Sequence, residues 1–179
     1  LGSDATTRLT SGKRARDPAF SPDGGDLVVV RNKVSDNNLY RMRVDQTLTP
    51  LTRRDDHVAF STPVFSPDGR FIALSAPDGG FRDIWIYTRE GEPYRRVTLD
   101  AHIDRDPAWS ADGRTLFFSS DRTGVANIYA LDLDDERLWQ VTNVLSGAFR
   151  PSIRADGERM AFQHFTHSGF QAALLDLDR

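Results

Sequence analysis

Short segments rich in aromatic and β-branched side chains recur along the whole chain, separated by turn residues. Examples are "DLVVVR", "RFIALSA", "TLFFSS" and "NIYALDL". Segments of this composition that are bounded by Gly, Pro, Asn and Asp are typical of β-strands. No window of the sequence has the periodicity of an amphipathic helix. The pattern therefore predicts an all-β fold.

One phrase occurs four times, as "DPAFSPDG", "TPVFSPDG", "DPAWSADG" and "RPSIRADG". Pro sets the backbone for a turn and Gly accepts a positive φ, so the phrase predicts a strand that ends in a tight turn. The Asp residues before the Gly are spaced by 45, 44 and 44 positions, and so are the acidic residues that close the third segment of each repeat. These two sets are Asp23, Asp68, Asp112 and Asp156, and Asp45, Glu90, Asp134 and Asp178.

Each repeat contains four short strand-like segments, and four strands in a repeat of this length are typical of a β-propeller blade. We therefore predict a β-propeller of four four-stranded blades that forms a single domain over residues 1–179. The repeats cover about residues 12–53, 54–99, 100–143 and 144–179. The expected core residues are Phe20, Val28, Phe65, Ile72, Trp109, Phe117 and Ile153.

The outer strands carry a Leu-Thr or Val-Thr pair, and the same pair occurs near the start of the chain at Leu9-Thr10. Residues 1–11 are therefore predicted to supply the closing strand of the last blade, with residues 5–11 pairing, since closure removes exposed sheet edges. The alternative is that the four blades are part of a ring of six or more. The chain is expected to be a monomer if the ring closes on itself and a dimer otherwise.

The composition excludes several classes of protein. A net charge of −3 argues against a nucleic-acid-binding protein, and no apolar run is long enough for a membrane span. The chain has no Cys, which excludes disulfides and thiolate chemistry. The first residue is Leu, which we interpret as the start of a piece of a longer gene product.

The phrases "DPAFSPDG", "TPVFSPDGR", "DPAWSADGR" and "SSDRTGVANIYALDLD" resemble the TolB-type, WD-repeat-like propeller repeats of bacteria. The resemblance covers essentially the whole chain. It implies a periplasmic or extracellular protein that binds other proteins, as TolB proteins do in the Tol-Pal envelope system. Such repeats also occur in the propellers of prolyl-oligopeptidase-like enzymes and in some metal-dependent lyases.

Loops on a rigid scaffold carry function more often than the scaffold does. Candidate binding residues are therefore sought on the loop face, the face of the propeller that carries the loops between the fourth and first strands and between the second and third strands. They are Asp17, Asp55, Asp56, His57, Thr62, His102, Asp104, Asp106, Asp121, Arg122, Arg150, His164 and His167. The four His residues allow a metal site only if they converge, which the sequence does not determine. We therefore predict no cofactor and leave the metal open.

The residue before the first Pro of each repeat begins the innermost strand, so these residues are expected to ring the mouth of the central channel. They are Asp17, Thr62, Asp106 and Arg150. An Asp in this position either orders its loop by accepting backbone hydrogen bonds or contributes charge to a ligand site. Asp121 and Arg122 are expected to stabilise a turn and to form an ion pair between blades.

The sequence has no Gly-X-Ser-X-Gly elbow and no phosphate-binding Gly-rich loop before a helix, so no catalytic residue is predicted. The predicted function is a non-catalytic binding module for a protein or peptide on the loop face, in a bacterial envelope or secreted protein. Two alternatives remain open: the substrate-gating propeller of a prolyl-oligopeptidase-like peptidase, and a metal-dependent propeller enzyme.

Overall fold

The computed structural model describes residues 8–32, 37–43, 45 and 47–177. In these residues fifteen strands form four antiparallel sheets, and none of the residues is helical. The sheets follow one another along the chain as four blades of a β-propeller, which confirms the fold class predicted from the repeat.

Each of the first three blades has four strands in sequence order from the innermost strand outwards, and the fourth blade has three. Blade 1 consists of β1 (Ala15–Phe20), β2 (Asp26–Asn32), β3 (Asn37–Arg43) and β4 (Leu48–Pro50). Blade 2 consists of β5 (Ser61–Phe65), β6 (Phe71–Asp78), β7 (Phe81–Thr88) and β8 (Pro93–Arg96). Blade 3 consists of β9 (Asp104–Trp109), β10 (Thr115–Ser120), β11 (Asn127–Asp132) and β12 (Leu138–Gln140). Blade 4 consists of β13 (Ala148–Ile153), β14 (Arg159–Thr166) and β15 (Gly169–Asp176).

The repeated turn phrase is explained by a hydrogen-bonded loop between the first two strands of each blade. In blade 2 the Asp68 carboxylate accepts hydrogen bonds from the Ser66 hydroxyl, at 2.6 Å, and from the Arg70 backbone N–H, at 3.0 Å. Gly69 adopts a φ of +70°, which a residue with a Cβ rarely takes. The phrase is therefore conserved between repeats for a structural reason.

The Leu-Thr and Val-Thr pairs also have a structural role, because the Thr hydroxyl connects two parts of the blade. In blade 3 the Thr142 hydroxyl accepts the Ile128 N–H at 2.8 Å and donates to the Asn127 side-chain oxygen at 3.0 Å. That oxygen also accepts the Val144 N–H at 2.8 Å. Thr52 and Thr98 make the same backbone contact in blades 1 and 2.

Replacing Thr142 with Val should lower the free energy of unfolding by about 1–3 kcal/mol, because the buried Ile128 N–H loses its acceptor. Urea denaturation followed by tryptophan fluorescence measures the loss. Thr142→Ser keeps the hydroxyl and should lose much less. Equal losses in the two variants would assign the effect to packing of the methyl group rather than to the hydrogen bond.

Neighbouring blades pack in series, with the innermost strand of one blade lying against the second strand of the blade before it. Hydrogen bonds cross each of these interfaces: Arg89 donates to the Asp26 carboxylate at 2.9 Å, Ser75 donates to the Asp104 carbonyl at 2.9 Å, and Ser119 donates to the Ala148 carbonyl at 2.7 Å. Within the described ranges, no strand of blade 1 contacts a strand of blade 4. Three blade–blade interfaces are therefore present.

Most of the predicted core is buried between blades, including Val28, Ile72 and Phe117. The prediction is wrong for Phe20, whose exposed fraction is 67% although Phe65 and Trp109 are buried at the same position of the repeat. The predicted closing strand is not found in residues 8–11, which are not in a strand. Residues 5–7 lie outside the described residues.

Candidate functional site

The four residues that precede the first Pro of each repeat line one cavity of about 270 Å³ at the start of the innermost strands. They are Asp17, Thr62, Asp106 and Arg150, and each is followed by a Pro that also lines the cavity. We call this cavity the mouth. The register of the repeat thus brings together four side chains that are far apart in the sequence.

All four residues have an unusual backbone conformation, with φ values of +51°, +48°, +56° and +51° in chain order. Positive φ is uncommon for residues other than Gly. Each residue lies at a break in the register between the first and second strands of its blade. Such bulges change the direction of a side chain and are frequent beside binding sites. The same local distortion therefore occurs at the mouth in every blade.

The two Asp side chains of the mouth connect neighbouring blades. Asp17 accepts the Thr62 backbone N–H at 3.2 Å, and the Asp106 carboxylate accepts the Arg150 backbone N–H. Burial raises the pKa of Asp106, while the charges of Arg105 and Arg150 act in the opposite direction. Both Asp residues thus accept backbone hydrogen bonds at the edge of the cavity.

Three further arginines surround this edge. Arg16 pairs with Asp17 and donates to the Phe60 carbonyl at 2.6 Å. Arg105 lies 4.7 Å from the centre of the Phe149 ring. Arg82 donates to the Ser61 hydroxyl at 2.8 Å, and burial together with the charges of Arg16 and Arg105 lowers its pKa.

The mouth itself is lined by two carboxylates and one guanidinium, but with the three neighbouring arginines included, positive charge exceeds negative charge around it, although the net charge of the chain is −3. The cationic residues are Arg16, Arg82, Arg105 and Arg150, and the anionic residues are Asp17 and Asp106. A second cavity of about 460 Å³ shares Asp106 and Arg150 with the mouth. Its walls include Phe149 and Phe170, which adds apolar surface beside the charged edge.

Analysis of the sequence did not identify the arginines Arg16, Arg82 and Arg105. A signal for two of them exists, because "RDP" occurs at residues 16–18 and again at residues 105–107, two repeats apart. No such signal marks Arg82, which belongs to the third strand of blade 2.

Three of the sequence candidates lie in the loop between β4 and β5 and do not line the mouth. Asp55 and His57 are exposed. Asp56 forms an ion pair with Arg54, which lowers the pKa of the Asp56 carboxyl. These residues form a separate polar surface.

Asp104 and Arg122 belong to a different, buried cluster, and both lie in blade 3, so their ion pair is within one blade and not between blades as predicted. The Arg122 guanidinium lies 3.2 Å from the Asp104 carboxylate and 3.3 Å from Asp100, and stacks 4.9 Å from the centre of the Tyr129 ring. Burial raises the pKa of Asp104. Asp83, also buried, lies in the same cluster and pairs with Arg96 at 2.6 Å. Sequence analysis did not identify Asp83 or Asp100.

The remaining candidates are dispersed. Asp121 accepts the Ile103 N–H at 2.9 Å, and its carboxylate lies 3.8 Å from His102. His164 packs near Phe162, and His167 lies in the exposed turn between β14 and β15. Among the described residues, the one group of three or more side chains with metal-binding atoms within reach of one another is Asp83, Asp100 and Asp104, and it contains no His.

A comparison with known protein families identifies the family of this chain. The family model described as TolB beta propeller domain matches residues 52–179. The chain belongs to this family. Its curated relatives include Tol-Pal system protein TolB of Anaeromyxobacter dehalogenans strain 2CP-C and of Anaeromyxobacter sp. strain K. Each is 34% identical over 93 residues, which are 51% of this chain and 21% of the relative.

Solved structures of the TolB family and of other proteins share the fold. TolB from Acinetobacter baumannii superposes with a TM-score of 0.84 and 25% identity, over 94% of this chain and 42% of that chain. A puromycin-hydrolyzing peptidase from Mycobacterium tuberculosis has a TM-score of 0.70 at 19% identity, over 92% of this chain and 30% of that chain. The similarity to the peptidase shows only that the two proteins share a fold. The chain thus spans less than half the length of these proteins.

Proposed function

We propose that this chain is a non-catalytic binding module that takes an acidic segment of a protein partner at the mouth. The observation that carries the proposal is the excess of arginine around a cavity formed by the same residue position in all four blades. Complementary charge across an interface favours encounter with the right partner and disfavours others.

The shape of the site supports a polypeptide ligand. The mouth and the second cavity share the lining residues Asp106 and Arg150, so a ligand with a carboxylate at the mouth would have a neighbouring apolar side chain near Phe149 and Phe170. Ligand sites commonly combine an apolar wall with a small number of charged groups in this way.

The proposed setting is the periplasm or the extracellular space, as a component of the Tol-Pal type. The family relationship supports it, since the curated relatives carry the name of the Tol-Pal system. In the part of the chain that the structure describes, there is no helix that could span a bilayer. Whether the chain is a monomer or a dimer stays a prediction.

A labelled peptide of alternating Glu and Leu should bind the protein, and a peptide with Gln in place of Glu should bind about tenfold more weakly or not at all. Fluorescence anisotropy measures both. Binding of the Glu peptide should weaken as salt is raised, because the arginines of the mouth are partly exposed. Equal binding of the two peptides would contradict the proposal.

Two variants locate the binding. Arg105→Ala removes an arginine that lines the second cavity beside the mouth and should weaken binding of the Glu peptide by roughly three- to tenfold. Arg114→Ala is the matched control, because Arg114 is an exposed arginine beside the turn of blade 3, away from the mouth. An equal effect of both variants would assign the binding to overall charge, and cleavage of the peptide by the purified chain would overturn the non-catalytic assignment.

A further inference from the structure

The clefts between neighbouring blades at the turn face, the face that carries the Ser-Pro-Asp-Gly turns, are not equivalent. Between blades 1 and 2 the cleft is occupied by Arg89. Its guanidinium lies 2.9 Å from Asp26 and 3.6 Å from Asp23, and 5.8 Å from the centre of the Phe65 ring. The chain thus fills this cleft with its own arginine, held by two carboxylates and an aromatic face.

In the next cleft, between blades 2 and 3, the corresponding position is Leu133. The backbone shows the correspondence, since Arg89 N–H donates to the Arg70 carbonyl at 2.9 Å and Leu133 N–H donates to the Arg114 carbonyl at 2.8 Å. Leucine has no charge and a shorter side chain than arginine. A cavity of about 340 Å³ lies beside it.

Two of the three groups that hold the Arg89 guanidinium have counterparts in this cavity, whereas Asp26, the nearest carboxylate, corresponds to Phe71. Asp68 stands at the turn position of Asp23, and Trp109 stands at the strand position of Phe65; both line the cavity. Trp is the best of the aromatic side chains at attracting a cation to its face. The Ser66 hydroxyl and the Arg70 N–H hold the pKa of Asp68 below its ordinary value, so its carboxylate is ionised at neutral pH.

The other charged groups of the cavity leave room for a further cation. Asp112 and Asp134 add two carboxylates to the lining. Of the two lining arginines, Arg95 is held by the Leu133 carbonyl at 2.7 Å and by Glu136 at 2.8 Å, and Arg114 lies 3.9 Å from Asp134. Carboxylates therefore outnumber the arginines that line the cavity.

We propose that the cleft between blades 2 and 3 binds an arginine side chain of a partner polypeptide. The guanidinium lies against the Trp109 face with Asp68 as its counter-ion, in the arrangement that Arg89 has with Phe65 and Asp23. Tyr94, which is largely exposed and packs 4.6 Å from Phe71 between ring centres, forms the outer wall. This site lies at the opposite end of the inner strands from the mouth and does not depend on binding there.

The test uses N-acetyl-arginine amide as the probe and the indole N–H signals of the isotope-labelled protein as the readout. The three tryptophans, Trp85, Trp109 and Trp139, give three signals, and the signal that is absent in Trp109→Phe belongs to Trp109. The probe should shift the Trp109 signal in a saturable way and leave the other two unchanged. The neutral citrulline analogue should not shift it. Absence of a Trp109 shift, or an equal response to the lysine analogue, would overturn the proposal.

Leu133→Arg should close the site, because it restores the side chain that fills the cleft between blades 1 and 2. We expect the affinity for the probe to fall at least about tenfold, whereas Leu133→Met should retain it. Asp68→Asn should also weaken binding, and Asp23→Asn, the same change in the filled cleft, should not. Unchanged binding in Asp68→Asn would overturn the site even if Leu133→Arg fails to fold.

Discussion

Arg122→Ala should destabilise the protein by about 3–5 kcal/mol, because it leaves the fully buried Asp104 carboxylate without its main counter-charge. The variant also loses the packing of the guanidinium against Tyr129. Urea denaturation at neutral pH measures the change. Arg114→Ala is the control, because its side chain is 73% exposed and the nearest Asp134 oxygen is 3.9 Å away. This control should change the free energy of unfolding by no more than about 1 kcal/mol.

The loss caused by Arg122→Ala should become smaller as the pH is lowered. Burial raises the folded-state pKa of Asp104 above its ordinary value of 3.8, and the Arg122 charge opposes this rise. Without Arg122 the folded state takes up a proton at higher pH than the unfolded state does, so the free energy of unfolding increases as the pH falls through that window. Denaturation at neutral and at mildly acidic pH tests this, and a loss independent of pH would show that packing rather than charge is responsible.

Phe60→Ala should also lower the free energy of unfolding by about 3–5 kcal/mol. Phe60 has no exposed surface and lies in the core cluster shared by blades 1 and 2, with its ring 5.5 Å from that of Tyr87 in an edge-on arrangement. Truncation would leave a cavity between two sheets whose strands limit its collapse. Thermal and urea denaturation both measure the effect.

Phe20→Ala provides the matched control for Phe60→Ala. The Phe20 side chain is 67% exposed, so its truncation should change stability by no more than about 0.5 kcal/mol. A loss at Phe20 comparable to that at Phe60 would show that Phe20 is buried in solution, by a second molecule or by another part of the protein.

Phe20 also shows the limit of prediction from the repeat. The sequence places it in the core because Phe65 and Trp109 occupy the same position, and the turn and strand around it are as predicted. Burial of this position, however, depends on the blade that packs against it. A repeated pattern shows which side chains each blade could bury, but their burial also requires a neighbouring blade that packs against them.

At the mouth, too, the repeat predicts some features and not those that depend on contacts between blades. The positions of Asp17, Thr62, Asp106 and Arg150 could be predicted, because a fixed period puts one residue of each blade at the same height on the channel. The approach of Arg82 could not, because it starts from the third strand of blade 2 and depends on how two blades meet. Asp83 and Asp100, which form a buried cluster with the predicted candidate Asp104, could not be predicted for the same reason.

The serial packing of the blades has a consequence for how binding and stability are linked. Each blade packs only against its neighbours. The free energy of unfolding of such a fold is therefore close to a sum of the contributions of the single blades and of the interfaces between neighbouring blades. Blades 2 and 3 have a neighbour on both sides, while no described strand of blade 1 supports blade 4, which supplies Arg150 to the mouth. Local opening of blade 4 would dismantle one wall of the mouth and leave the other three in place. A ligand held at the mouth would therefore stabilise blades 1 and 4 by mass action, because each of them supplies a lining residue and has a single neighbour among the described strands.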